Sequence, residues 1–152
     1  MSDCIFCKIA AGEIPSRKVY EDDLCYAFYD LDPQAPTHFL VIPKQHISSA
    51  LAINEENCAV VGHIYAVIAK VAKELGFDSY RVVANCGEQA GQTVFHLHFH
   101  VLSGRDMTWP PGGSNTRKRA ALCAAFFKRG EQTCRNAIYA SLRYFFPLHW
   151  GC

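Results

Sequence analysis

Three histidines at alternate positions, His96, His98 and His100, interleave with Leu97, Phe99 and Val101 in the run Val94–Val101. Successive side chains of a β-strand point to opposite faces, so this period predicts Phe95, Leu97, Phe99 and Val101 on a core face. The three imidazoles then share the other face, roughly 6.5–7 Å apart along the strand. A lone histidine on an outer strand face is ordinary; three in register are not. Two chemistries use such a face. A His-x-His pair can ligate zinc with further ligands from elsewhere in the chain. Alternatively, a neutral imidazole can attack phosphorus and form a covalent intermediate that water later cleaves. Histidine suits the second role because it is substantially neutral near pH 7 and leaves readily when protonated. The preceding Gly91-Gln92-Thr93 favours it too. Glycine lets backbone approach an anion closely, and nearby amide and hydroxyl donors can cradle phosphoryl oxygens. A second cluster, Cys4-Ile5-Phe6-Cys7, is a Cys-x-x-Cys half-site that fits structural zinc, a redox dithiol or two unrelated thiols.

The elements that must position these groups are legible as periodicities. Ile5–Ala11 predicts a short helix stopped by Gly12 and Pro15. Lys18–Glu21 and Leu24–Tyr29 read as strands of a hairpin turning at Asp22-Asp23, and Thr37–Ile42 as a strand ended by Pro43. Asn54 is suited to cap a helix whose positive end Glu55 and Glu56 complement. Val61, Ile64, Ile68, Val71 and Leu75 recur at spacings of 3 and 4 up to a stop at Gly76. Val60, Tyr65, Val67 and Ala72 lie outside that stripe, which predicts either a fully buried helix or one packed on the sheet and on a second subunit. Tyr80–Cys86 and Thr93–Leu102 read as two more strands joined through Gly87–Gln92. The expected fold is α+β: a mostly antiparallel sheet of about five strands crossed by one long helix.

With 152 residues, half of them hydrophobic, the chain is expected to hold one domain with a real core. Residues 1–113 carry eight Lys/Arg against thirteen Asp/Glu, whereas 114–152 carry seven Lys/Arg and only Glu131. That switch, at the Pro-Pro-Gly-Gly-Ser-Asn junction, divides the chain into a domain (1–113) and a basic, aromatic extension (114–152). The extension could lie on an anionic membrane or touch nucleic acid. The plainer expectation is an accessory or non-native segment with no specific nucleic-acid partner. No apolar run is long enough for a transmembrane span, and no secretory signal is evident. The cytoplasm is therefore the expected compartment, with the eight cysteines reduced or metal-bound. Cys25, Cys58 and Cys86 are expected to be small core fillers.

The run Gly91–Leu102 resembles the histidine-triad motif, His-φ-His-φ-His-φ-φ with φ apolar. The resemblance extends through Asp30-Leu31-Asp32-Pro33-Gln34-Ala35-Pro36-Thr37-His38, the turn Pro43-Lys44-Gln45-His46-Ile47 and Trp109-Pro110-Pro111-Gly112, so it covers residues 3–112. The branch it resembles is that of purine nucleoside phosphoramidases, small homodimers that cleave the P–N bond of nucleoside 5′-phosphoramidates. The resemblance implies that His98 is the nucleophile, while His100 contacts the phosphate and helps pass a proton to the leaving amine. Gln92 and Thr93 would donate to phosphoryl oxygens, with Thr93 standing where the family often has serine. Gly91 and Asn85 would lie on the phosphate side, and Asp30 would bind the ribose hydroxyls. Phe6, Ile9, Phe28 and Leu31 would sandwich the base, although read alone they are core candidates. No cofactor is needed for this chemistry. Triad proteins of bacterial type imply a structural zinc on Cys4, Cys7, His46 and His96. His38 and His63 receive no catalytic role. The alternatives are a dinucleoside polyphosphate hydrolase of the same superfamily, a nucleotide-binding regulatory protein with little turnover, and a zinc enzyme using the triad as ligands.

Overall fold

The computed structural model describes residues 3–108. Helix α1 (Ile5–Ala10) leads into strands β1 (Lys18–Glu21), β2 (Cys25–Tyr29) and β3 (Thr37–Pro43). Helix α2 (Cys58–Glu74) follows, then β4 (Tyr80–Val83) and β5 (Phe99–Ser103). The strands form one antiparallel sheet in the order β1-β2-β3-β5-β4. The architecture is α+β, as expected. Helix α2 carries the chain past the free edge of β3, and β5 returns to fill the gap between β3 and β4. The central strand β3 is buried from His38 to Pro43, so both its faces are covered and its sequence runs apolar without a polar break.

The two faces have different covers. Phe39 and Val41 of β3, Phe99 and Val101 of β5, and Leu97 just before β5 join Val60, Ile64, Val67, Ile68 and Val71 of α2 in the main core. The opposite face presents Tyr26, Phe28, Leu40 and Ile42, which pack with Phe6 and Ile9 of α1. Burying each of these aliphatic or aromatic side chains contributes about 1.5–3 kcal/mol, which is why the amphipathic period of α2 and the alternation of β3 dictate the layering. The second apolar stripe of α2 is largely consumed within the chain: Val60, Val67 and Ala72 are buried, and Tyr65 stays half-exposed with its ring edge-on to Phe99. The helix ends where Gly76 takes φ 69° and Phe77 N–H closes on the Ala72 carbonyl at 2.9 Å.

Several expectations are corrected. Asn54 does not cap α2. Its Oδ1 accepts from the Glu56 and Asn57 amides in a turn, and the helix starts only at Cys58. Glu55 and Glu56 therefore precede the helix. The triad strand is shorter than its alternation suggested, because β5 begins at Phe99. Before it, His96 N–H bonds the Val94 carbonyl and Leu97 N–H the Ile47 carbonyl, which bends the chain out of the ladder. Phe95 consequently faces solvent at 50% exposure rather than the core. Likewise β4 ends at Val83, leaving Asn85 and Cys86 in the following loop, and Cys58 is exposed rather than a core filler. Cys25 is fully buried and Cys86 half-buried. Met1–Met107 forms one compact unit. The extension 114–152 and Trp109–Gly112 lie outside the described residues. Among the described residues, no helix is long and apolar enough to cross a membrane.

Candidate active site

The register of β3 and β5 sets Leu40 opposite His100 and Val41 opposite Phe99. His98 and His100 thus belong to the sheet face that carries Leu40 and Ile42, away from α2. His98 is 4% exposed. Its Nδ1 lies 2.6 Å from the His96 carbonyl oxygen, which can only accept. The proton of neutral His98 is therefore on Nδ1, and the lone pair is on Nε2. Among the described residues no side chain bonds that Nε2, and every fully buried side-chain nitrogen or oxygen has a partner. The atom is accordingly open to an incoming group. Phe6 packs edge-on to the same ring at 5.3 Å, limiting its rotation.

His100 receives its tautomer through a chain. The Gln34 backbone N–H donates to His38 Nδ1 at 3.2 Å, so neutral His38 carries its proton on Nε2. That Nε2 donates to His100 Nδ1 at 2.9 Å. The remaining nitrogen of His100, Nε2, then bears a proton as a donor. Asp30 Oδ2 lies 3.5 Å from His38 Nε2 and 3.9 Å from His100 Nδ1, while Oδ1 accepts from the Asp32 amide. Burial pushes His100 down to about 4; His98 and His38 add to this and Asp30 opposes it. Burial also lowers His38, outweighing the nearby Asp30 and Asp32 carboxylates. Burial thus favours the neutral forms of His38 and His100.

This has a measurable consequence for stability. A histidine whose folded value lies below its ordinary 6.5 favours the native state above that pH, and the contribution disappears as pH falls towards the folded value. The wild type is expected to lose up to about 3 kcal/mol through His100 between pH 6.5 and 4. Urea titrations across this window should show a shallower decline for His100→Gln. Parallel declines in the two proteins would exclude His100 as the source.

His38, expected to support the sheet or the surroundings of the site without a catalytic role, contacts His100 directly. The signal was present: the alternation Thr37-His38-Phe39-Leu40-Val41-Ile42 sets His38 on the face of Leu40 and Ile42. Only the pairing of β3 with β5 turns that into a contact. His63, also unassigned, bonds Asp22 Oδ2 at 2.7 Å and ties α2 to the hairpin turn.

The loop before the triad is held by its own backbone. Gly87 and Gly91 adopt φ 84° and 90°, a region that L side chains rarely enter. Gln92, expected to donate to phosphoryl oxygens, is 2% exposed, and both its amide protons go to carbonyls, of Ser48 at 2.8 Å and Val94 at 3.1 Å. Its Oε1 accepts from Gly87 N–H. The Gln92 side chain therefore shapes the loop and is not free to donate. Thr93 is exposed beside it, and a side-chain carbon built on Gly91 would lie 3.7 Å from Asn85 Nδ2, so Gly91 and Asn85 are neighbours. The expected base-binding residues differ in exposure. Phe6, Ile9 and Phe28 are together and buried, with the Phe6 and Phe28 rings 5.6 Å apart, whereas Leu31 is fully exposed at 102%.

Beside His98 lies a sulfur–nitrogen cluster. Cys4 Sγ and Cys7 Sγ lie 3.4 and 3.5 Å from His96 Nδ1, and Cys7 Sγ is 3.3 Å from His46 Nδ1. All four ligand atoms fall within 4.8 Å of one another. Bonds of about 2.3 Å to sulfur and 2.0 Å to nitrogen give a tetrahedral S–N edge of about 3.6 Å, so the donor set and its spacing fit zinc. His96 Nε2 donates to the Pro43 carbonyl at 2.9 Å, which leaves the Nδ1 lone pair aimed at the sulfurs, the usual outer-shell device for a metal-binding imidazole.

The chain matches the family described as "HIT domain" over residues 11–107. It is 51% identical over 111 residues to an uncharacterized HIT-like protein of Synechocystis sp., covering 72% of this chain and 97% of that protein. Among solved structures, it is similar to a HIT family hydrolase from Legionella pneumophila, with 46% identity, a TM-score of 0.71 and coverage of 72% and 100% of the two chains. It is also similar to a histidine triad nucleotide-binding protein from Candida albicans, with 33% identity, a TM-score of 0.62 and coverage of 84% and 96%. The motif, the sheet that carries it and these matches agree: the chain belongs to the histidine-triad (HIT) domain family.

Proposed function

We propose that this protein hydrolyses the P–N bond of purine nucleoside 5′-phosphoramidates through a nucleotidyl-His98 intermediate. The observation that carries the reading is the tautomer of His98: Nδ1–H on the His96 carbonyl, Nε2 unbonded. In the first step the Nε2 lone pair attacks the α-phosphorus, and the P–N electrons leave with the amine, which takes up a proton. The His96 carbonyl holds the Nδ1 proton as the ring becomes cationic. Water then attacks phosphorus and gives up a proton, restoring the one the amine took, the N–P pair returns to Nε2, and the nucleoside monophosphate departs. His100 offers its Nε2–H to the phosphoryl group. The substrate's negative charge raises its proton affinity from the depressed free-enzyme value; as Nδ1 gains a proton the His38 Nε2–H turns to Asp30 Oδ2, 3.5 Å away, and Nε2 passes its proton to the amine. Asp30 accepts from the ribose hydroxyls, Thr93 and the loop at Gly91 and Asn85 meet the phosphate, and Gln92 holds that loop in shape. Phe6, Ile9, Phe28 and Leu31 flank the base. The Legionella relative being called a hydrolase, and the Candida relative a nucleotide-binding protein, supports both halves of the reading.

The reading carries the rest of the assignment. Zinc on Cys4, Cys7, His46 and His96 ties the N-terminal segment to the sheet, and no cofactor enters the chemistry. The protein acts in the cytoplasm as a homodimer, and residues 114–152 form an accessory segment outside the 1–113 domain. Purified protein is expected to hold about one zinc per chain, and Cys4→Ser/Cys7→Ser to hold none while keeping some turnover. Zinc that persists in the double variant would place the ion elsewhere. The substrate class is tested by comparing kcat/KM on adenosine 5′-phosphoramidate and diadenosine tetraphosphate. Preference for the phosphoramidate is expected; faster cleavage of the tetraphosphate would make the protein a polyphosphate hydrolase. Tight binding of adenosine monophosphate with no turnover of either would make it a binding protein.

A further inference from the structure

Beyond its amide, which donates to the Val94 carbonyl, His96 makes polar contacts in three directions. Its Nδ1 faces Cys4 and Cys7 Sγ, its Nε2 donates to the Pro43 carbonyl, and its own carbonyl accepts from His98 Nδ1. One residue therefore belongs both to the sulfur–nitrogen cluster and to the hydrogen bond that holds the nucleophile's Nδ1. A second link runs in parallel. Phe6 sits between the two cysteines in α1, and its ring lies edge-on to His96 at 6.0 Å and to His98 at 5.3 Å. The backbone that carries the His96 carbonyl is outside the sheet ladder, since β5 begins at Phe99. The sheet ladder does not fix the direction of that carbonyl; the Leu97 N–H of the same peptide, held by the Ile47 carbonyl, and the side-chain anchors of His96 fix it together.

We infer that ligation at Cys4, Cys7, His46 and His96 positions the nucleophile, so that occupancy of the cluster by zinc controls turnover at His98. The inference rests on His98 being the nucleophile and on the cluster holding zinc. With all four ligands engaged, the His96 ring is held at both nitrogens, its carbonyl keeps the His98 proton on Nδ1, and Phe6 keeps the ring in plane. When the cluster opens, α1 loses its attachment to His46 and His96, and both restraints on His98 loosen together. His98 then spends part of its time with the proton on Nε2, where no lone pair faces phosphorus. His96 acts here as a positioning residue.

The test compares the full chain loaded with zinc, the same chain stripped by dialysis against dipicolinate, and His46→Asn. His46 is an exposed ligand whose replacement leaves the apolar core untouched. Two readouts are taken at a temperature where circular dichroism shows each sample folded. The first is the imidazole 15N–1H spectrum, in which the loaded protein should show a sharp His98 Nδ1–H signal. The second is kcat and KM on adenosine 5′-phosphoramidate. Stripping and His46→Asn are each expected to broaden or remove that signal and to lower kcat by about 10- to 100-fold, with KM within about twofold. Zinc added back to the stripped chain should restore both. Loss of a purely structural ion would lower the melting temperature and leave kcat and the His98 signal unchanged; that result overturns the inference, as does failure of the chain to bind zinc. If the loaded chain turns over no phosphoramidate, the substrate reading fails separately. The ring-proton signal then still decides whether the cluster positions His98.

Discussion

His98→Ala is expected to lower release of adenosine monophosphate from adenosine 5′-phosphoramidate by at least about 10³-fold, equivalent to about 4 kcal/mol of transition-state stabilisation. The size follows from the role. A covalent nucleophile divides one difficult displacement into two easier ones, and no neighbouring group stands in for it. His96 is turned away, with Nδ1 on the cysteine sulfurs and Nε2 on the Pro43 carbonyl. His100 has Nδ1 occupied by His38 and a proton on Nε2. Binding should survive, because Asp30, Thr93 and the glycine loop do not depend on the His98 ring. Steady-state kinetics with equilibrium binding of adenosine monophosphate separates the two effects. A variant that binds and still turns over within about tenfold of wild type would remove His98 from the chemistry.

The second large effect belongs to His100 and depends on what is leaving. His100→Ala is expected to cost about 10²–10⁴ in kcat on the phosphoramidate, the usual worth of a positioned proton donor. An amine is a poor leaving group unless it gains a proton as the P–N bond breaks. A nucleotide p-nitrophenyl ester needs no such help, so the loss on that substrate should be at least about tenfold smaller. Equal losses on both substrates would instead assign His100 to phosphate binding alone. His38→Phe should reproduce the same leaving-group pattern more weakly, since it removes the donor that sets the His100 tautomer while leaving the ring itself.

Both predictions depend on atoms whose placement was only partly legible in the sequence. The alternation of apolar residues and histidines identified the faces of β5, and the 3–4 spacing of Ile64, Ile68 and Val71 identified the core side of α2. Those are short-range patterns, and the backbone period carries them. What the period could not report was where the strand stops. Val94–His96 leave the ladder because other partners take the polar groups there: the distant Ile47 receives the Leu97 amide, and Gln92, two residues earlier, bonds the Val94 carbonyl. Phe95 is therefore exposed despite its place in the alternation. Gln92 was misassigned for a similar reason. An amide before a triad reads as a phosphate donor until the Ser48 carbonyl, 44 residues earlier in the chain, is found to hold it. His38 was legible as to face but not as to partner, because strand pairing is not written in either strand alone. Read alone, the Cys-x-x-Cys pair stayed open to three readings; the family resemblance had paired it with His46 and His96, and the fold brings these four together.

The most direct measurement on the central claim is capture of the intermediate. Wild-type protein mixed with excess adenosine 5′-phosphoramidate and quenched within one turnover should carry one nucleotidyl group, located on His98 by peptide mass spectrometry. The adduct should form and decay at rates consistent with kcat, survive mild alkali and fall off in acid, as a phosphorus–nitrogen bond to imidazole does. His98→Ala should carry none. Turnover that proceeds without a labelled His98 peptide, with inversion of configuration at phosphorus instead of the retention that two displacements give, would show that water attacks the substrate directly and would contradict the account.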